Sequence, residues 1–253
     1  MFDHISIPTI LVTYVAVLFA LSVHEAAHAT AAYLLEDDTA QRMGRMTLNP
    51  LAHIDPIGTL ILPLFGMISG IRVLGWAKPV PVNPGRLTRK YPMRVGYAMV
   101  AAAGPGSNLI QSFVFLVILA VLIRVVGPVD PSMRLNWFFA SMQIPVERLM
   151  QVPGMGVGSA LAITLLGRLV IINIGLAIFN LLPFGPLDGA GILRGFLPFH
   201  MLPTFDRIQP TITIVLLVCF LVLPVVINTI LSPFFFVADA LYMTPLARLL
   251  LGA

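Results

Sequence analysis

The sequence predicts an all-α polytopic membrane protein, a single domain over residues 1–253. Two observations predict it. Hydrophobic residues make up 58% of the chain and charged residues only 10%, where a soluble domain carries about 25% charge; the mean hydropathy is +0.95. The apolar residues are also gathered into runs long enough to cross a bilayer, which takes about 20 residues. The net charge of +4 calls for no nucleic acid. The basic residues lie between apolar runs, as membrane topology distributes them, so the expected surroundings are the lipid bilayer.

Four runs read as full spans, about 5–34, 93–124, 158–182 and 209–231. A fifth, about 57–75, is short and broken by Pro63, Gly66 and Gly70, which suits a re-entrant segment that enters the membrane without crossing. Residues 41–48 are expected to form a short β-strand. Residues 76–84 are expected to form an extended edge, because prolines cannot donate to a ladder. Residues 125–157 form a loop with Pro128, Pro131, Pro145 and Pro153, in which 136–150 reads as an amphipathic helix at the interface. The tail 234–253 is apolar but holds Asp239, Pro245 and Arg248; it reads as a second interfacial helix or a poor last span. Trp76, Tyr97 and Trp137 read as interfacial belt residues. The lone Cys219 permits no intrachain disulfide. The N-terminal run lacks a basic flank and leads straight into chemistry-bearing residues, so it reads as a retained span rather than a cleaved signal.

Those residues are His24-Glu25-Ala26-Ala27-His28, an H-E-x-x-H motif inside the first span. Ionisable groups at membrane depth are costly and mark function. Positions i and i+4 share one helix face, so both imidazoles can grip one Zn²⁺. Glu25 projects about 100° round the helix, where it can serve as base toward a water molecule at the metal. With five His in the chain, chance spacing gives such a pentapeptide in roughly one shuffled chain in a thousand. The motif points to a zinc hydrolase working in the bilayer. A tetrahedral catalytic zinc needs a third protein ligand. Asp188, just past the run 158–182, is the candidate; it reads equally well as the cap of a short helix over 189–197.

The two motifs together, His24-Glu25-Ala26-Ala27-His28 and Asn180-x-x-Pro183-x-x-x-Leu187-Asp188-Gly189, resemble those of the site-2 protease family of intramembrane metalloproteases. The resemblance covers about residues 15–197. Gly104-Pro105-Gly106-Ser107-Asn108 resembles the family's central glycine-proline-asparagine motif. Asn49-Pro50-Leu51-Ala52-His53-Ile54-Asp55-Pro56 resembles a segment that follows the zinc helix in bacterial members. The resemblance implies a site-2-protease-like helical core over about 5–200, in a minimal form without a PDZ domain. It implies one zinc held by His24, His28 and Asp188, with Glu25 as catalytic acid/base. The implied reaction is hydrolysis of a peptide bond in or near a substrate's transmembrane helix, and the implied place is a cell membrane such as the bacterial inner membrane. The oligomeric state stays open.

A tetrahedral intermediate also needs an oxyanion donor. Asn108 is the first candidate and His53 the second. Each has a structural alternative: an interhelical hydrogen bond for Asn108, a turn hydrogen bond near Asp55 for His53.

Parity sets the topology. Both motifs sit late in their helices and share one ion, so those helices run in the same direction and an odd number of crossings separates them. Of 57–75 and 93–124, the weaker one therefore does not cross. Arg42, Arg45, Lys78, Arg86, Arg89, Lys90, Arg94, Arg194 and Arg207 then fall on one side, with Arg134 and Arg148 on the other. The crowded side is cytoplasmic by the positive-inside rule, and the active site opens toward it. Two rival functions are a non-catalytic zinc-binding homologue that binds membrane partners, and a solute or metal transporter. Intact Glu25 argues against the first. The apolar stretches from 93 to 182 are nearly free of ionisable residues, which argues against the second.

Overall fold

The computed structural model describes residues 7–69, 75–152, 155–222 and 224–252. The helices are α1 (Ile7–Leu34), α2 (Thr39–Arg42), α3 (Leu62–Ser69), α4 (Met93–Val126), α5 (Pro131–Ser141), α6 (Val146–Met150), α7 (Val157–Asn180), α8 (Asp188–Phe196), α9 (Leu202–Val222), α10 (Pro224–Ala238) and α11 (Thr244–Leu251). Residues 5 and 6 of the expected first span, 70–74 of the expected re-entrant segment, Pro153 of the loop and Leu223 of the expected fourth span lie outside the described residues. Among the described residues, four helical stretches are long and apolar enough to cross a membrane: Ile7–Leu34, Met93–Val126, Val157–Asn180 and Thr229–Leu251. The architecture is that of a polytopic helical membrane protein.

α4 is the central helix and packs on α1, α7 and α8. Val100 meets His28 while Asn108 meets His24, so α4 runs antiparallel to α1. Asn108 also meets Asn173 of α7, and Tyr97 and Ala101 face Gly191 of α8, so α4 opposes α7 as well. Lipid offers no hydrophobic driving force between helices, so close van der Waals contact must hold them. α1 supplies it with small residues: Ala16, Ala20, Ala29 and Ala32 are fully buried. On the far side of α4, Leu116, Leu119 and Ile123 pack with Phe138 of α5, Leu149 of α6, Ile163 and Ile174 of α7 and Leu251 of α11.

Two expectations need correction. The first is the β-edge: among the described residues there is no strand. Residues 41–48 turn instead, beginning in α2. Residues 76–83 are extended, but their polar groups go elsewhere. The Lys78 N–H donates to His53 O at 2.9 Å. Arg45 takes the carbonyls of Lys78 and Pro79 at 2.6 and 3.2 Å. The Val80 N–H goes to Glu25 and the Asn83 N–H to Asp37. Pro79, Pro81 and Pro84 have no N–H to give. With its donors and acceptors held this way, the segment forms no ladder.

The second correction concerns 136–150. It is two helices, α5 and α6, broken at Pro145, and Phe138, Val146 and Leu149 are buried in the core. The loop between them meets Arg168, inside spanning α7. The Arg168 guanidinium donates to the carbonyls of Met142, Gln143 and Ile144 at 2.6, 3.2 and 3.3 Å. Three carbonyls compensate a charge that would otherwise be costly in a span.

At the C-terminal end, the described residues of the expected span 209–231 are helical, in α9 up to Val222 and in α10 from Pro224. Among the described residues, a stretch long and apolar enough to cross runs from Thr229 to Leu251. Its acidic Asp239 accepts a hydrogen bond from Thr244 at 2.8 Å.

The 57–75 region starts where expected. The Asp55 carboxylate accepts the Ile57 and Gly58 N–H groups at 3.0 and 2.7 Å, and Pro56 opens a helical stretch that leads into α3. The excursion is closed at its base. The Trp76 N–H donates to Gly58 O at 3.1 Å, and Thr59 Oγ1 donates to Trp76 O at 2.7 Å.

Candidate metal centre and active site

His24 and His28 lie one turn apart on the buried face of α1, 4% and 8% exposed. Their Nε2 atoms are 3.1 Å apart. Asp188 reaches them from the start of α8: its Oδ2 is 3.2 Å from His24 Nε2 and its Oδ1 is 3.3 Å from His28 Nε2. Leu187, not Asp188, is the N-cap of α8, and no side chain caps it. The capping alternative therefore does not describe Asp188. An acidic residue in a first turn is still favoured there by the helix dipole.

The donor set fits a cation. His28 Nδ1 lies 2.8 Å from Val100 O and His24 Nδ1 lies 2.6 Å from Asn108 Oδ1. A carbonyl oxygen can only accept, so both Nδ1 atoms carry the proton. Asn108 is fixed in that sense: its Nδ2 donates to Asn173 Oδ1 at 2.7 Å. Asn173 Nδ2 in turn donates to Leu169 O at 2.8 Å. Each neutral ring is left with a bare lone pair on Nε2, and these two lone pairs meet each other and a carboxylate. Asp188 Oδ2 has no hydrogen-bond partner although it is buried. With both rings neutral, three acceptors converge with no proton between them, an arrangement that a bound metal cation satisfies. The spacings of 3.1 to 3.3 Å also match the edge of a tetrahedron of N and O ligands around zinc, about 3.3 Å.

Gly104 keeps this space open. A Cβ there would collide with Nε2 and Cε1 of His28 and with Cε1 of His24. Pro105 follows at once and removes one intrahelical hydrogen bond from α4.

Glu25, next to His24, stands on the wall of a cavity of about 950 Å³ that also includes His24, His28, Asp188, Trp76 and Tyr97. Its Oε2 accepts the Val80 N–H at 3.0 Å. Trp76 and Tyr97, expected in an interfacial belt, are thus cavity residues. Trp76 sits against Gly58, where a Cβ would overlap its indole. No local sequence signal pairs those two residues.

The two oxyanion candidates fare differently from their expectation. Asn108 is fully buried and its amide is committed to His24 and Asn173. His53 is 2% exposed and is not part of the cavity wall. Its Nε2 bonds Thr47 O at 2.8 Å and its carbonyl braces Lys78. The structure thus brings together His24, Glu25, His28 and Asp188, with Asn108 behind the first histidine, and leaves His53 apart.

Residues 12–223 match the model of peptidase family M50. Two curated proteins are similar, both provisionally named zinc metalloproteases. YwhC of Bacillus subtilis is 34% identical over 186 residues, which is 73% of this chain and 68% of YwhC. Rip2 of Mycolicibacterium smegmatis is 30% identical over 145 residues, 54% of this chain and 51% of Rip2. No solved structure matches. The paired motifs, the three converging acceptors and these similarities agree: the chain belongs to peptidase family M50, the site-2 protease family of membrane zinc metalloproteases.

Proposed function

We propose that this protein is an intramembrane endopeptidase that hydrolyses a peptide bond in or near a transmembrane helix of a membrane-protein substrate. The observation that carries the reading is the convergence of His24, His28 and Asp188 beside Glu25 on one cavity wall. His24, His28 and Asp188 would hold the zinc. Zinc bound there supplies Lewis acidity toward a carbonyl and acidifies water. Glu25 takes the proton of the attacking water and passes it to the leaving amine. Asn108 and Val100 hold the two imidazoles in the tautomer that ligation needs. A substrate helix must unwind first, because its backbone is otherwise paired within itself.

The segment 57–75 is read as re-entrant. Its closed base at Gly58 and Trp76 supports that, because a chain that leaves and returns to one point makes no net crossing. The site then opens toward the cytoplasm, where most Lys and Arg lie.

The test is a pair of variants. Glu25→Gln should keep its zinc and lose at least 10²-fold in cleavage. Asp188→Ala should lose most of its zinc, since one of three ligands is gone. Cleavage by Glu25→Gln at the wild-type rate would sink the acid/base assignment. Full zinc in Asp188→Ala would sink the ligand assignment.

A further inference from the structure

We propose that the backbone N–H of Val80 is a positioning donor for Glu25, presented singly by its two flanking prolines. The proposal rests on the reading of Glu25 as the acid/base.

The Val80 nitrogen lies 3.0 Å from Glu25 Oε2. Pro79 and Pro81 on either side have no N–H. Within 79–81, then, one donor exists, and it meets the carboxylate next to the metal site. A residue before proline is also restricted to extended backbone, which limits how Val80 can turn its N–H.

The segment around Val80 is anchored by buried charges. Arg45 is 7% exposed and holds the carbonyls of Ala52, Lys78 and Pro79. On the other side, Asp37 is fully buried. Its Oδ2 takes the Asn83 N–H at 2.6 Å and its Oδ1 takes the Thr39 N–H at 3.1 Å. Burying a guanidinium and a carboxylate is unfavourable unless they are bonded, and here their bonds to backbone groups on both sides of Val80 fix the position of 78–83. The N–H of Val80 is therefore held on a rigid support.

A glutamate side chain has three rotatable bonds. A charge-assisted hydrogen bond to one oxygen holds the carboxylate in one orientation and leaves the other oxygen for the proton. Misplacing such a group by about 1 Å costs up to 10²-fold in rate.

The experiment uses the full chain in detergent. Its probe is a fluorophore–quencher peptide with an apolar helix broken by Gly-Pro, chosen as one the wild type cleaves. Val80→Ala keeps the N–H and is the control for the side chain: its kcat should fall less than that of the variants that lack the N–H. Val80→Pro removes the N–H and suits the extended backbone; kcat should fall about 10- to 100-fold while KM and bound zinc stay unchanged. An ester at position 80, made with the α-hydroxy analogue of valine, deletes the N–H and keeps the side chain. It should show the same loss, and it decides the matter if Val80→Pro does not fold. Wild-type kcat in the ester variant would overturn the proposal, as would a loss shared equally with KM or zinc content. Glu25→Gln is run alongside: if it cleaves, the acid/base reading has failed; if it is inactive while the ester variant is not, only the role of Val80 has.

Discussion

Asn108 of α4 accepts the Nδ1 proton of His24 across 2.6 Å, with neither residue more than 4% exposed. That bond sets which nitrogen of His24 is free for metal. Partners of this kind raise ligand basicity and hold the ring plane, and their loss typically costs 10- to 100-fold in metal affinity.

Asn108→Ala should therefore weaken zinc binding about 10- to 100-fold. Asn108→Asp, which keeps an acceptor, should bind more tightly than the alanine variant. Competition with a chelator of known affinity measures both. A variant with wild-type zinc affinity and depressed kcat alone would instead mark Asn108 as the oxyanion donor the sequence first suggested.

Gly104 and Gly106 offer a matched pair on one helix. A Cβ at Gly104 lands on both imidazoles, whereas one at Gly106 meets nothing within 4 Å. Gly104→Ala should lose most of its zinc and destabilise the protein by about 1–3 kcal/mol through overpacking. Gly106→Ala should keep both zinc and stability. Zinc content by elemental analysis and thermal unfolding read the two outcomes. Equal behaviour of the pair would argue that the space beside His28 is not held open by Gly104.

Arg168 tests the packing of 142–144. Arg168→Leu strands three carbonyls that now share one guanidinium. Leaving hydrogen-bonded carbonyls unpaired costs about 1–3 kcal/mol, which corresponds to roughly 2–12 °C in a chain of this size. The thermal midpoint in detergent should drop by that order. An unchanged midpoint would mean that other groups or water satisfy those carbonyls.

Topology can be read by cysteine labelling in a Cys219→Ser background. Leu51 and Arg89 flank the 57–75 excursion, Val129 follows α4, and all three are exposed. Single cysteines at Leu51 and Arg89 should label from the same, cytoplasmic side, and one at Val129 from the other. Opposite labelling of Leu51 and Arg89 would make 57–75 a true crossing and reverse the Lys/Arg bias.

The features legible in the sequence are those that local physics decides. In lipid every backbone group must be paired within its segment, so an apolar run of about 20 residues is a helix and can be read as one. That is why α1, α4 and α7 lie close to the expected 5–34, 93–124 and 158–182. His24 and His28 were legible for the same reason, since their common face follows from the helical period alone. The C-terminal end was less so: the apolar signal is spread over 209–251 and does not by itself mark the ends of a crossing helix.

Tertiary structure decided what depends on partners far along the chain. Asp188 was equally readable as a helix cap; packing of α1, α4 and α8 turned its carboxylate to the histidines. The stretch 76–83 has the composition of an edge strand. It forms none, because Arg45, Glu25 and Asp37 take its polar groups. Asn108 was recognisable as important, but its role follows from which side chain its oxygen meets. Helical periodicity is carried by neighbours three and four residues away and is written in the sequence. Hydrogen bonds between side chains and distant backbone leave no periodic trace, so only the folded chain reveals them.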